Sequence, residues 1–195
     1  MFKLALITSI IAILLLTACQ NTPISLSQPG SSPTATNTII TEDVVTGLNI
    51  PWSLAFAPDG RIFVTERPGT IRVIRNGQLE PEPWIELNVA DVGEAGLLGI
   101  TLDPGFTENG YVYVAYTYED SQRNLKNRLV RLKEDASNQK GLEDVVIMDN
   151  VPGNGTHDGG RVKIGPDNKL YWTMGDAQSP QMAQEVASLN GQILR

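Results

Sequence analysis

Nothing covalent holds this 195-residue chain together, because it has a single cysteine, Cys19. No internal disulfide can form, so stability must come from packing. Basic residues are scarce as well, 15 Lys and Arg against 22 Asp and Glu, for a formal net charge of -7. A nucleic-acid partner would need a basic cluster to neutralise its phosphates, and no such cluster interrupts the acidic background, so no nucleic acid is expected. A run of membrane-spanning length is also missing. Leu4 to Leu16 is apolar apart from Thr8 and Ser9, which is too short for a comfortable span but suits the core of an export signal behind Lys3.

That signal ends in Leu16-Thr17-Ala18-Cys19, which resembles the bacterial lipobox; the alternative is a plain secretory peptide with an incidental cysteine. The resemblance implies that residues 1–18 are removed and that Cys19 carries lipid. The protein is then held in the cell envelope by that anchor alone. Gln20 rather than Asp follows the cysteine, which favours the outer membrane. Residues 19–38 are rich in Asn, Ser, Thr, Pro and Gln with scarcely an apolar residue; they cannot bury enough surface to fold and read as a tether. Residues 39–195 are long enough for one domain core.

Within that domain a pattern recurs three times: an apolar strand, a Pro turn and a second apolar strand. Ser53–Phe56 leads through Pro58-Asp59-Gly60 into Ile62–Val64. Leu98–Leu102 leads through Asp103-Pro104 to Tyr111–Val114. Arg161–Ile164 leads through Pro166-Asp167-Asn168 to Leu170–Trp172. Pro with Asp and then Gly or Asn suits a tight reversal between strands. The three prolines lie 46 and 62 residues apart, and short-strand repeats at such intervals mark β-propeller blades. A β-sandwich with recurring Pro-Asp turns is the alternative. Further strands are predicted over Thr70–Arg75, closed by the hairpin signal Asn76-Gly77, and over Asn127–Lys133. One helix is predicted, Ser179–Leu189, capped by Ser179 and stopped by Gly191, with Met182, Val186 and Leu189 on one face. At roughly 45 residues per blade the domain makes at most about three and a half blades. The reading is all-β, the N-terminal part of a longer propeller, with an inactive truncation as one alternative.

The chemistry-bearing residues cluster at the third repeat. His157, the only histidine, lies in the loop Asn154-Gly155-Thr156-His157-Asp158-Gly159-Gly160. A lone loop histidine is commonly a solvated surface residue. Here, however, Gly175-Asp176 follows 19 residues on. If Val162–Gly165 and Leu170–Met174 form a hairpin, both of its ends lie on the same side. Asp176 then reaches the imidazole and fixes one tautomer, leaving the other nitrogen as a base. Asp43, Asp91 and Asp144 read as solvated loop acids, and no metal site is assigned.

These motifs together resemble the soluble quinoprotein glucose/sorbosone dehydrogenases. The resemblance runs through His157-Asp158-Gly159-Gly160-Arg161, Gly165-Pro166-Asp167 and Leu170 to Asp176. It extends back to Gly93-Glu94-Ala95-Gly96-Leu97-Leu98-Gly99 and Ile50-Pro51-Trp52-Ser53, and forward to Leu189–Arg195. It implies a six-bladed propeller of which about three blades are present, with pyrroloquinoline quinone (PQQ) over the axis and calcium nearby. The implied reaction is oxidation of an aldose sugar to its lactone, with electrons passed on to an unidentified acceptor. His157 would be the base and Asp176 its partner. Glu94 would lie beside the sugar; Gln stands there in glucose-oxidising relatives, so Glu94 resembles the broad-specificity aldose branch. Arg161 would also bind the sugar, placed second to Glu94, with a purely structural role at a strand start as the alternative. The residues that hold the quinone, and most calcium ligands, are expected beyond residue 195. The competing class is a non-catalytic envelope propeller that binds a glycan or protein.

Overall fold

The computed structural model of the chain describes residues 39–195; the signal, Cys19 and the tether lie outside them. Residues Glu42–Arg195 form one compact unit built of three antiparallel sheets. The first sheet runs β1 (Pro51–Phe56), β2 (Ile62–Glu66), β3 (Thr70–Arg75) and β4 (Gln78–Leu79), with β5 (Ile85–Glu86) also paired to β3. The second runs β6 (Leu97–Leu102), β7 (Tyr111–Glu119), β8 (Leu125–Asp135) and β9 (Lys140–Pro152) in simple sequence order. The third pairs β10 (Gly159–Ile164), β11 (Leu170–Met174) and β12 (Ile193–Leu194). Each predicted repeat is the first hairpin of one sheet: β1–β2, β6–β7 and β10–β11. The Asn76-Gly77 signal closes β3 onto β4, with both residues at positive φ, 52° and 75°, as a two-residue hairpin turn requires.

The middle sheet shows why these are blades. Its strand β7, Tyr-Val-Tyr-Val-Ala-Tyr-Thr-Tyr, does not alternate apolar with polar, because both of its faces are covered. Val112, Val114 and Tyr116 belong to one core with Phe63, Ile71, Val73 and Trp84 of the first sheet. Ala115, on the other face, belongs to a second core with Leu129, Val151, Val162, Trp172 and Met174, shared with the third sheet. Full burial of side chains as large as Phe63 and Trp172 contributes about 1.5–3 kcal/mol each, and this is what holds sheet to sheet. A sandwich would leave one face of such a strand wet.

β6 packs between β1 and β10, so the first strand of each repeat lies innermost. The backbones come close there: a Cβ on Gly99 of β6 would overlap the carbonyl oxygen of Gly160 and the amide of Val162 in β10. All three inner strands carry a register shift near their starts, at Pro51/Ser53, Leu97/Ile100 and Gly159/Val162. Bulges of this kind bend a strand and re-aim the chain leading into it. That chain holds Glu94 before β6 and His157 before β10.

Between the first two sheets sits a buried ionic group. The Arg61 side chain, 3% exposed, donates to both carboxylate oxygens of Glu134 on β8 (2.6 and 2.9 Å) and to Asp59 (2.7 Å). Trp84 Nε1 also donates to Glu134 (3.0 Å), and the guanidinium lies over the Phe63 and Phe106 rings.

Two expectations are corrected. The helix over Ser179–Leu189 does not form; only a 3-10 turn at Met182–Gln184 is present. Its intended apolar face has nothing to pack on, with Val186 98% and Leu189 40% exposed, and a helix that short is marginal without tertiary packing. Asp144 is not a loop acid. It lies within β9 and pairs with Arg131 at 2.6 Å. Asp91 is an exposed loop acid as expected, though it pairs with Arg67 at 3.1 Å.

Candidate active site

The hairpin β10–β11 brings its two ends together as the sequence implied. The carbonyl of His157 accepts the amide N–H of Ala177 (3.1 Å), and the carbonyl of Asp158 accepts that of Gly175 (3.2 Å). The two residues flanking Asp176 are thereby registered against His157 and its neighbour. His157 Nδ1 lies 3.2 Å from Asp176 Oδ1. The same Asp176 oxygen accepts the amide of Gln178 (3.0 Å), and the Gln178 side chain bonds Thr156 Oγ1. The loop is thus closed on both sides of the histidine.

His157 has φ 63°, a left-handed conformation uncommon for a residue with a side chain. Such strain persists only where surrounding bonds over-determine it, and it gathers at functional sites. The bonds here are those to the 175–178 segment together with one from the other flank. Glu94 Oε2 accepts the His157 amide (3.3 Å), while the Glu94 amide donates to the Gly155 carbonyl (2.7 Å). Glu94, His157 and Asp176 therefore form one continuous group, assembled from the loops before β6, before β10 and after β11. The His157 side chain is 60% exposed and that of Asp176 25%, so the imidazole faces open space while its partner is shielded. With Asp176 accepting from Nδ1–H, the Nε2 lone pair is left to take a proton.

Arg161 goes elsewhere. Its Nη1 donates to Ser53 Oγ (2.9 Å) and its guanidinium stacks over the Trp52 ring at 4.4 Å, both on β1. With Pro51, Leu54 and Val64 these residues line an open cleft of about 260 Å³. Arg161 forms no ion pair among the described residues. A larger open cleft of about 840 Å³ lies along Asn88–Val92, Tyr116, Tyr118 and Arg128. Neither Glu94, His157 nor Asp176 lines it, so volume alone does not locate the chemistry here.

Sequence reading missed one participant that stands inside its own motif. Asp158 is 5% exposed. Its Oδ1 accepts the Asn154 amide (2.8 Å) and Asn127 Nδ2 (3.1 Å), and its Oδ2 lies 3.1 Å from Thr117 Oγ1. Burial, reinforced by the nearby Glu94 charge, pushes its carboxyl above the usual range despite these hydrogen bonds. Only the residue type at 158 was available to signal this, and an acid beside a Gly-Gly pair reads as a loop.

A propeller that carries a histidine–aspartate pair at the mouth of its inner strands defines a class in which side chains are presented around an axis. Comparison with known proteins narrows that class. The family model described as Glucose / Sorbosone dehydrogenase matches residues 48–195, and the chain belongs to that family. Quinoprotein glucose dehydrogenase B of Acinetobacter calcoaceticus is 31% identical over 150 residues, covering 72% of this chain and 31% of the relative. The PQQ-bound aldose sugar dehydrogenase of Streptomyces coelicolor superimposes with a TM-score of 0.71 at 34% identity, covering 80% of this chain and 47% of that one. Hedgehog-interacting protein of Mus musculus is 27% identical over 180 residues, 82% of this chain and 26% of its own. The chain spans less than half the length of each. The three sheets are blades of the propeller that these dehydrogenase structures share.

Proposed function

We propose that this chain is part of a PQQ-dependent aldose dehydrogenase that oxidises the anomeric hydroxyl of a sugar to a lactone. The observation that carries the reading is the Glu94–His157–Asp176 group. Asp176 orients the imidazole through Nδ1, and Nε2 takes the hydroxyl proton of the sugar. Glu94, exposed beside the His157 amide, is suited to accept hydrogen bonds from further sugar hydroxyls, which supports a range of aldoses rather than glucose alone.

The residues present suit the sugar and proton side of such a site. Glu94 and Asp176 are acidic, whereas an anionic quinone needs cations. Arg161, stacked on Trp52 and free of ion pairs among the described residues, is the group here whose chemistry suits that role. When bound, the quinone supplies the acceptor for the hydride leaving the sugar carbon. Calcium belongs to the proposal through the family resemblance. No group of three or more His, Cys, Asp or Glu among the described residues is placed to hold a metal ion, and no step is assigned to it.

The proposal extends to the whole protein: a longer chain, anchored by lipid on Cys19 at the envelope, with an outer-membrane location and a separate electron acceptor. The likeness to Hedgehog-interacting protein favours the competing reading, a propeller that binds a protein partner. One experiment separates the two. The whole protein, supplied with PQQ and calcium, is assayed for reduction of an artificial dye with a panel of aldoses. Dye reduction with lactone formation supports the dehydrogenase, and absence of turnover with every aldose despite bound PQQ supports the binding module.

A further inference from the structure

The buried group around Asp158 has more oxygens than ordinary protonation can supply with protons. Asn127 Nδ2 faces the Pro152 carbonyl (3.3 Å) and Asp158 Oδ1 (3.1 Å). Both are acceptors, which fixes the orientation of the amide and leaves Asn127 Oδ1 turned to Thr117 Oγ1 at 2.7 Å. Thr117 Oγ1 also lies 3.1 Å from Asp158 Oδ2. A hydroxyl has one proton, and Asn127 Oδ1 has none to offer, so the Thr117 proton goes to Asn127. The remaining oxygen pair, Thr117 with Asp158, then lacks a proton unless Asp158 carries it.

A protonated Asp158 closes a ring. Its Oδ2–H donates to Thr117 Oγ1, the Thr117 hydroxyl donates to Asn127 Oδ1, and Asn127 Nδ2 donates back to Asp158 Oδ1. Thr117, Asn127 and Asp158 are each buried, at 0%, 2% and 5% exposure, where an unpaired polar atom costs about 1–3 kcal/mol. The groups packed on Asp158 come from β7 (Thr117), β8 (Asn127) and the loop before β10 (Asn154), and none is charged. The charge felt nearby is the carboxylate of Glu94, before β6, and it opposes ionisation. No cation pairs with Asp158 among the described residues.

We infer that Asp158, kept as a neutral carboxylic acid, is the positioning residue that ties the His157 loop to the second blade. Its side chain reaches β7 and β8. Its carbonyl and that of His157 hold the two amides on either side of Asp176. Through this clamp the left-handed turn at His157 and the imidazole–carboxylate pair take their place relative to Glu94. Asp158 touches no reacting atom and acts through His157. The inference rests on the dehydrogenase reading for its effect on turnover, but not for the protonation of Asp158.

The test therefore has two readouts on the whole protein. Infrared difference spectra with ¹³C-labelled aspartate, wild type against Asp158→Asn, detect a protonated-carboxyl stretch at neutral pH without any substrate. That band is expected in the wild type and absent from the variant; no such band in the wild type overturns the inference. In the aldose assay, Asp158→Ala is expected to lower kcat by about 10²-fold with KM little changed, the scale of a small misplacement of a reacting group. Asp158→Asn, which can donate and accept as the neutral acid does, recovers most of that loss. Equal damage in both variants would mean that the charge is needed, and wild-type kcat in Asp158→Ala that the clamp is idle; either overturns the inference. If the alanine variant does not fold, the infrared band and the asparagine variant decide it. If the wild type itself oxidises no aldose, the dehydrogenase reading fails and the band alone still decides whether Asp158 is neutral.

Discussion

Gly175 lies against His157 so closely that a Cβ on it would overlap the histidine's carbonyl oxygen and crowd the Gly159 amide. The Gly-Asp pair after β11 is therefore more than a loop signal. The glycine lets the chain pass close enough for Asp176 to reach the imidazole. Gly175→Ala is expected to push the 157–159 backbone away and break the 3.2 Å contact between Nδ1 and Asp176. Kinetics should show kcat reduced by about 10²-fold, with a stability loss of about 1–3 kcal/mol from overpacking in denaturant titrations. Wild-type kcat in a folded Gly175→Ala protein would show that the close approach is not needed.

The ionic group between the first two blades makes a separate prediction. Glu134→Ala removes the more buried of the two carboxylates paired with a guanidinium whose side chain is 3% exposed, and leaves Trp84 Nε1 without its acceptor. Breaking a buried pair outright costs about 3–5 kcal/mol; Asp59, still paired with Arg61 at 2.7 Å but 46% exposed, offsets part of this, so about 2–3 kcal/mol is expected. Urea unfolding of the variant should show a loss of that size. A loss below about 1 kcal/mol, the range of surface pairs, would mean that water reaches Arg61.

Two aspartates should shape stability in opposite directions with pH. Burial alone would raise Asp103, but hydrogen bonds from Asn109, Tyr113 and the Gly105 amide outweigh it and hold its carboxyl below the ordinary aspartate value. Its contribution is present above the unfolded pKa and is lost as pH falls through the lower folded value. Asp158 is raised by burial, so its folded form binds the proton more tightly, and stability falls as pH rises from the unfolded pKa towards the folded one. Asp103→Asn should therefore flatten the acid limb of a stability–pH curve and Asp158→Asn the limb above it. Thermal unfolding across pH checks both, and unchanged limbs would contradict the assigned directions.

The anchor is tested at Cys19. Mass spectrometry of the mature protein is expected to find an N-terminal lipidated cysteine, and Cys19→Ala is expected to release the protein from membranes. An unmodified Cys19, or a Cys19→Ala protein still in the membrane fraction, would return the segment to a plain secretory signal.

The blades were legible because each begins with the same local chemistry, a strand closed by a Pro-Asp or Asp-Pro turn, at intervals that suit a blade. The His157–Asp176 pair was legible for a related reason, since a hairpin must return its ends to one side. The segment 179–189 was misread because its helical spacing is real but no surface covers Val186. The role of Asp158 was out of reach because burial by Thr117 and Asn127 depends on pairings 41 and 31 residues away. Arg161 was identified by motif, but its stacking on Trp52 arises from the packing of blade against blade.

The central claim, that the His157–Asp176 pair removes the sugar proton, is tested most directly by His157→Ala in the whole protein loaded with PQQ and calcium. A positioned base contributes about 10²–10⁴-fold, so aldose-dependent dye reduction should fall by that factor while PQQ affinity stays near the wild-type value. Asp176→Asn should cost less, because the imidazole is misoriented and not removed. Near-normal turnover in His157→Ala would contradict the claim and return this histidine to the surface of a propeller whose chemistry lies elsewhere.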